Sequence, residues 1–225
     1  VLYVDKMLFG NSESYFENLL EPLGKKFPQI EISPYVSYGR IRYRIKTTKQ
    51  YQNEFNDFLK QFDNAVGDYL YSNVEEEINE TVVKKLIEKG LTVSFAESCT
   101  GGLLAKLITD IPGASQVFFQ SFITYSEEAK MKILHVDPVT IKNYGVVSTN
   151  VTSEMIKGLE SNVKADIYAS ISGYAGPSGD VGLVCFSVKY QDKIVNFEKR
   201  YHGTREMIRM RAAYEILYQI YLMIR

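Results

Sequence analysis

The chain has 225 residues, 45% of them hydrophobic, which is enough to form the core of one large domain or two small ones. A net charge of −1 and a pI near 6.2 argue against a dedicated nucleic-acid coat protein or a membrane-surface binder. Two cysteines are too few for a disulfide framework, and no signal peptide or long uncharged apolar run is evident. The cytoplasm is therefore the expected compartment.

The only two histidines, His135 and His202, lie far apart in the sequence. This spacing disfavours a histidine-based zinc site and a serine-histidine triad, and we expect neither a metal nor a cofactor. The chain begins at Val1, without methionine and directly in an apolar run, which indicates the tail of a longer polypeptide.

Residues 1–72 predict a small α+β domain. The predicted elements are a strand over 1–9, a helix capped by Ser12, a hairpin of strands 30–36 and 40–46, and a long helix with Phe55, Phe58, Leu59, Phe62, Val66 and Tyr69 inward. The second hairpin strand alternates Ile41, Tyr43 and Ile45 with Arg40, Arg42, Arg44 and Lys46, which predicts a basic sheet face. This face could follow phosphates, but we favour a solvated sheet surface because acidic residues elsewhere in the domain balance its charge.

Residues 73–225 predict a second domain of class α/β, with a mixed sheet and helices on both faces. The predicted elements are a helix over 74–89, a strand over 91–96, a helix opened by residues 100–102, a strand over 117–125, a helix capped by Ser126, a helix over 148–159, a strand over 165–171, a hairpin of 182–190 and 193–201, and a closing helix over 204–224.

A strand-to-helix turn over residues 97–102 is the first candidate for chemistry. Ser98 is predicted at a helix N-terminus, where free backbone N–H groups stabilise anions, and Gly101 and Gly102 allow a ligand close to the backbone. The structural alternative is a capped helix with Thr100 as N-cap. Glu97 is interpreted as a residue that orients a catalytic lysine or a water, or that forms a salt bridge at the helix start.

Tyr125 and Lys130 are the second candidate. With Ser126 as N-cap, they occupy the two positions that meet in a hydrophobic staple, so we expect their side chains to touch. The helix dipole and partial burial both favour a neutral lysine, which is a usable base. Ser98 would then attack an acyl carbon while Lys130, directly or through Tyr125, takes its proton. The alternative is a strand-end tyrosine and a solvated lysine.

A glycine-dense loop over residues 172–179 is the third candidate, because Gly173, Gly176 and Gly179 would let it wrap a ligand. A phosphate would bind the backbone of residues 100–102 or of 176–179, and the sequence leaves both open. Among weaker candidates, Cys99 is interpreted as a buried thiol rather than a rival nucleophile. Three arginines near the chain end are interpreted as solvated helix charges; they are Arg205, Arg209 and Arg211. The alternative is that one of them binds a substrate phosphate from a neighbouring subunit.

Five motifs stand out: A-E-S-C-T-G-G at 96–102, P-G-A-S at 112–115, F-I-T-Y-S-E-E-A-K at 122–130, G-V-V-S at 145–148 and S-G-Y-A-G-P at 172–177. Their order and spacing resemble the C-terminal domain of the CinA family. The resemblance covers residues 74–225 and implies a three-layer α/β/α domain. Residues 1–72 resemble the small linking domain of full-length family members, which is sometimes compared with KH modules.

The resemblance implies a nicotinamide-nucleotide amidohydrolase, with Ser98, Tyr125 and Lys130 at the family's catalytic positions. Nicotinamide mononucleotide and water would give nicotinic acid mononucleotide and ammonia, in a protein that we expect to be a homo-oligomer without membrane or nucleic-acid partners. The alternative is a catalytically silent nucleotide-binding protein or a competence- and recombination-linked partner. Two departures from the family pattern bear on substrate choice: the short 177–182 loop, and Tyr174 where a small aliphatic residue is common.

Overall fold

The computed structural model describes residues 1–225, which form two compact units, Val1–Thr81 and Val82–Arg225. The sequence placed the boundary after Ser72, whereas the structure places it after Thr81. Hydrogen bonds explain the difference, because the Glu76 carboxylate accepts from the hydroxyls of both Ser72 (2.7 Å) and Thr81 (3.0 Å). Residues 73–81 therefore belong to the first unit.

The first unit contains a four-stranded antiparallel sheet and two helices. The strands are β1 (Leu2–Phe9), β2 (Glu31–Ser37), β3 (Arg40–Thr47) and β4 (Leu70–Ser72), in the order β2-β3-β1-β4. The helices α1 (Glu13–Lys26) and α2 (Gln52–Val66) bury their aromatic stripes in one core, which includes Phe16, Phe58 and Phe62. The predicted hairpin is present, and the short β4 is an addition that the sequence pattern did not show.

The basic face of β3 is neutralised within the first unit. Arg42 pairs with Glu75, and Arg44 forms a bidentate pair with Asp5 at 2.9 and 3.0 Å. Arg42 also lies over the ring of Tyr35, 4.4 Å from its centroid. The charge balance anticipated for the domain as a whole is thus achieved by direct ion pairs on this face.

The second unit contains a mixed five-stranded sheet, as the sequence predicts. Its strands are β5 (Val93–Glu97), β6 (Phe118–Ile123), β7 (Ile167–Gly173), β8 (Leu183–Tyr190) and β9 (Lys193–Arg200), in the order β6-β5-β7-β8-β9. The central strand β5 is parallel to both of its neighbours, whereas β8 and β9 are antiparallel additions at one side. The carboxyl ends of β5, β6 and β7 therefore meet at one edge, where open α/β sheets bind ligands.

The remaining helices are α3 (Ile78–Lys89), α4 (Leu103–Thr109), α5 (Glu127–Leu134), α6 (Pro138–Tyr144), α7 (Thr149–Asn162) and α8 (Arg205–Ile224). The sequence pattern predicted that α4 would begin at Thr100, but it begins at Leu103. Gly101 and Gly102 have φ values of +58° and +93°, which lie outside the helical region and keep residues 98–102 in a turn. None of the helices has the length and apolar character needed to span a bilayer.

Candidate active site

Ser98 and Lys130 meet at the carboxyl edge of the parallel strands. Ser98 directly follows β5, and Lys130 lies in the first turn of α5, which begins where Ser126 Oγ accepts from the Ala129 N–H at 3.0 Å. Lys130 Nζ lies 2.8 Å from Ser98 Oγ. Both side chains are buried, and Lys130 is only 1% exposed. Local signals, a strand end and a capped helix start, thus bring an alcohol and an amine together.

The amine of Lys130 has three oxygen neighbours. Besides Ser98 Oγ, it donates to the backbone carbonyls of Thr124 at 2.8 Å and Tyr125 at 3.4 Å. Burial lowers the pKa of Lys130 to about 8, although nearby Glu127 favours the ammonium form. A neutral amine has two N–H donors for the two carbonyls and one lone pair for the Ser98 hydroxyl proton. The arrangement can therefore use Lys130 as a base toward Ser98.

Tyr125 lines the site in a different way from the one expected. Its side chain is 58% exposed, and its hydroxyl accepts a hydrogen bond from Arg205 Nη2 at 2.8 Å. The hydrogen bond between Lys130 and Tyr125 involves the backbone carbonyl, so the expected side-chain contact is replaced by a main-chain one. In this conformation the phenol does not relay a proton between Lys130 and Ser98.

Glu97 occupies the N-terminus of α4, where the sequence predicts a bound anion. Its carboxylate is completely buried and accepts from the N–H groups of Gly102 (3.0 Å), Leu104 (3.1 Å) and Ala105 (2.9 Å). Thr100 is not the N-cap of α4, because Gly102 holds that position, and glycine has no side chain that could cap the helix. The expected contact of Glu97 with Lys130 or a water is thus corrected: the carboxylate stabilises the start of α4.

Two backbone amides of the turn remain for a ligand. The Gly101 N–H donates to the Ser98 carbonyl at 3.0 Å, and the Gly102 N–H donates to Glu97. Neither glycine amide is therefore available to bind an anion, contrary to the prediction. The N–H groups of Cys99 and Thr100 donate to no backbone carbonyl, and the Cys99 N–H lies toward its own thiol. These two amides, beside the Ser98 hydroxyl, are the candidate oxyanion donors.

Cys99 is an inert neighbour of Ser98. Burial raises the pKa of its thiol to about 12, even though Lys130 and Arg209 oppose that shift. At neutral pH the thiol is therefore protonated and is a poor nucleophile. This agrees with the interpretation of Cys99 as a buried thiol.

A cavity of about 270 Å³ opens beside Ser98. Its wall includes Gly173 and Gly176, as the sequence predicts, and also Tyr174. Gly179 does not line the cavity; it packs against the ring of Tyr174, where any added Cβ would lie 2.4 Å from a ring carbon. The other lining residues are Ser98, Cys99, Tyr125, Glu127, Lys130, Val146, Val147, Ser172, Ala175, Ser178 and Arg205. No cluster of three or more His, Cys, Asp or Glu side chains in the chain is placed to hold a metal ion.

Arg205 lines the site, whereas the sequence predicts a solvated charge at this position. It begins α8 and donates to the Gly176 carbonyl at 2.7 Å as well as to the Tyr125 hydroxyl. It thereby ties the glycine-rich loop to Tyr125, which is 80 residues away in the chain. The only local sequence signal of this role was the position of Arg205 in the first turn of a helix, where the macrodipole makes a positive charge unfavourable.

Comparisons with known proteins identify the family of the chain. The sequence profile of the CinA C-terminal domain matches residues 75–224. A relative named "Putative competence-damage inducible protein", from Caldicellulosiruptor saccharolyticus, is 39% identical over 213 residues, covering 91% of this chain and 52% of that protein. A CinA-like protein from Dictyoglomus turgidum is 35% identical over 89% of this chain and 51% of its own length. The chain thus spans about half the length of these relatives.

Solved structures with a similar fold cover about two thirds of this chain. The competence/damage inducible protein CihA from Agrobacterium tumefaciens is 32% identical, with a TM-score of 0.60, and covers 66% of this chain and 96% of that one. The competence damage-inducible protein A from Klebsiella pneumoniae is 28% identical, with a TM-score of 0.61, over 65% of this chain and 96% of its own. The profile match and these relatives together place the chain in the CinA family.

Proposed function

We propose that the chain is a cytoplasmic amidohydrolase that converts nicotinamide mononucleotide and water into nicotinic acid mononucleotide and ammonia. The observation that carries the proposal is the buried pair of Ser98 and Lys130, with 2.8 Å between Oγ and Nζ. A buried lysine whose pKa is lowered to about 8 is an effective general base for a serine nucleophile. Family membership supports the proposal, although the names of the relatives refer to competence and damage induction rather than to an activity.

In the proposed mechanism, Ser98 Oγ attacks the amide carbonyl carbon while Lys130 Nζ takes the hydroxyl proton. The negative charge that develops on the carbonyl oxygen is held by the N–H groups of Cys99 and Thr100. The intermediate collapses as Lys130 returns the proton to the leaving nitrogen, which departs as ammonia. Water then attacks the Ser98 ester, with Lys130 again as the base, and releases the carboxylic acid.

The rest of the substrate would bind in the cavity beside Ser98. The amides of Gly101 and Gly102 are bonded within the chain. The backbone of residues 176–179 is therefore a better candidate for binding the substrate phosphate than that of residues 100–102. Arg205 supplies a positive charge at the same loop. Tyr174 offers an aromatic surface in the cavity wall for a flat heteroaromatic ring.

The experiment is an assay of ammonia release from nicotinamide mononucleotide by the purified protein, with chromatography of the acid product. We expect turnover by the wild type, a loss of about a thousandfold or more in Ser98→Ala, and normal turnover in Ser115→Ala, whose serine is exposed outside the cavity. Undiminished release by Ser98→Ala would contradict the mechanism. Binding of the nucleotide without ammonia release would instead favour the alternative, a catalytically silent nucleotide-binding protein.

The pH dependence of the rate gives a second prediction. Only neutral Lys130 can accept the Ser98 proton, and its pKa is lowered to about 8. We therefore expect kcat/KM to rise about tenfold per pH unit below about pH 8 and to level off above it. Initial rates between about pH 6 and about pH 10 test this, and a rate that falls across the same range would contradict a lysine base.

For the finer architecture, we propose that the second unit is a three-layer α/β/α sandwich and that the first is a KH-like linking domain. The helix α7 packs on β7 and β8, and α8 also packs on β8, which supports a layered arrangement.

We further propose a homo-oligomer. Light scattering of the purified protein should give a mass of at least twice 25.7 kDa, and a monomer mass would contradict this.

A further inference from the structure

Arg209 reaches from α8 to the turn that carries Ser98. Its Nε donates to the backbone carbonyl of Cys99 at 3.0 Å, and its Nη2 donates to the carbonyl of Thr100 at 2.6 Å. A single guanidinium thus holds two successive peptide groups immediately after the nucleophile. The Thr100 carbonyl also accepts from the Leu103 N–H at 3.2 Å.

The backbone of the turn is shaped to admit this guanidinium. Gly101 has a φ of +58°, and a Cβ added there would lie 3.4 Å from Arg209 Nη2. The glycine therefore supplies the left-handed conformation that the turn needs beside the arginine. The contact is part of the turn's construction and not a chance approach of a surface side chain.

We propose that Arg209 is a positioning residue that orients and polarises the N–H groups of Cys99 and Thr100 as oxyanion donors for Ser98. The inference rests on the proposed function, because it assigns these amides a role in acyl transfer. A peptide group is planar, with its C=O and N–H pointing in opposite directions. By fixing the Cys99 carbonyl, Arg209 fixes the N–H of Thr100, which belongs to the same peptide group and points away from the guanidinium.

A chain of hydrogen bonds carries the same effect to the second amide. Arg209 binds the Thr100 carbonyl, whose peptide partner is the Gly101 N–H, and that N–H donates to the Ser98 carbonyl at 3.0 Å. The Ser98 carbonyl shares its peptide group with the Cys99 N–H. Hydrogen bonds in series strengthen one another, and a cation at the start of the series makes the last N–H a stronger donor.

The test uses the reaction of Ser98 with a fluorophosphonate, which does not depend on the natural substrate. In this reaction the bond from Ser98 Oγ to phosphorus forms, the P–F bond breaks, fluoride leaves, and the hydroxyl proton passes to Lys130. The phosphoryl oxygen develops negative charge where a carbonyl oxygen would. Intact-mass measurements against time and reagent concentration give the maximal labelling rate and the half-saturating concentration separately.

We expect Arg209→Met to lower the maximal labelling rate by about 10- to 100-fold, somewhat less than loss of a direct oxyanion donor, and to leave the half-saturating concentration within about twofold. Arg209→Lys should restore part of the rate, because an ammonium can still donate to one carbonyl. Arg211→Met is the matched control on the same helix, since Arg211 donates to the His202 carbonyl at 3.4 Å. It should label at the wild-type rate.

Equal labelling rates in Arg209→Met and Arg211→Met would overturn the inference, as would a wild type that is not labelled at all. A loss that appears only in the half-saturating concentration would also overturn it, since that is the signature of a binding role. If Arg209→Met does not fold, the comparison of Arg209→Lys with the wild type decides, and equal rates there count against the inference. A wild type that is labelled on Ser98 but releases no ammonia would refute the proposed substrate and leave the role of Arg209 intact.

Discussion

Lys130→Met is expected to lower ammonia release from nicotinamide mononucleotide by about a thousandfold or more, because it removes the base that accepts the Ser98 proton. Methionine has a similar length and keeps the buried volume filled, so a loss of activity would not reflect a collapsed site. The kcat of the variant, measured beside Ser98→Ala, should be similarly low. A double variant that is no worse than either single one would show that the two side chains act as one unit.

The same variant should reveal the energetic cost of a buried lysine. The pKa of Lys130 is about 8 in the folded protein and 10.5 in a model peptide, so the unfolded chain binds a proton between these values that the folded chain does not. Stability of the wild type therefore rises with pH through this window. Relative to Lys130→Met, we expect the wild type to gain about 2 kcal/mol between about pH 7 and about pH 9.5.

Urea unfolding of both proteins at several pH values measures this difference. The comparison of slopes is not affected by the carbonyl hydrogen bonds that Lys130→Met loses, because those bonds do not titrate in this range. Parallel stability curves for wild type and variant would show that Lys130 has an ordinary pKa. Such a result would also remove the physical basis for its use as a base at neutral pH.

Glu97→Ala is expected to lower the free energy of unfolding by about 3–5 kcal/mol. The substitution leaves the buried N–H groups of Gly102, Leu104 and Ala105 without their carboxylate acceptor, and each unsatisfied group costs about 1–3 kcal/mol. The effects are not additive because the turn can relax toward water. Chemical denaturation measures the loss, and Glu97→Gln, which retains one oxygen acceptor, should lose about half as much.

Glu128→Ala is the matched control for Glu97. Glu128 also lies in the first turn of a helix, but its side chain is 79% exposed and pairs with Lys132 across one turn. Its loss should change stability by less than about 0.5 kcal/mol. Similar losses in the Glu97 and Glu128 variants would contradict the assignment of Glu97 as the buried support of α4.

Local sequence signals were sufficient to predict that Ser98 and Lys130 meet. The apolar strand before Glu97, the glycines after Ser98 and the Ser126 cap four residues before Lys130 are all read from neighbouring residues. The rule that parallel strands end at one edge then brings the two segments together. The prediction of a neutral lysine rested on the helix dipole and on partial burial against Tyr125, whereas the pKa of Lys130 is lowered mainly by burial.

The sequence by itself thus determined the mixed α/β class of the second unit, the serine turn and the lysine at the capped helix start, because short-range periodicity and capping encode them. Only the tertiary structure decided which groups complete the turn. Glu97 takes the helix amides that a phosphate was expected to use, while Arg205 and Arg209 reach Tyr125 and the Cys99 carbonyl from 80 and 110 residues away. Such partners depend on how segments far apart in the chain pack together. Residue spacing in a single sequence does not determine which of these segments come into contact.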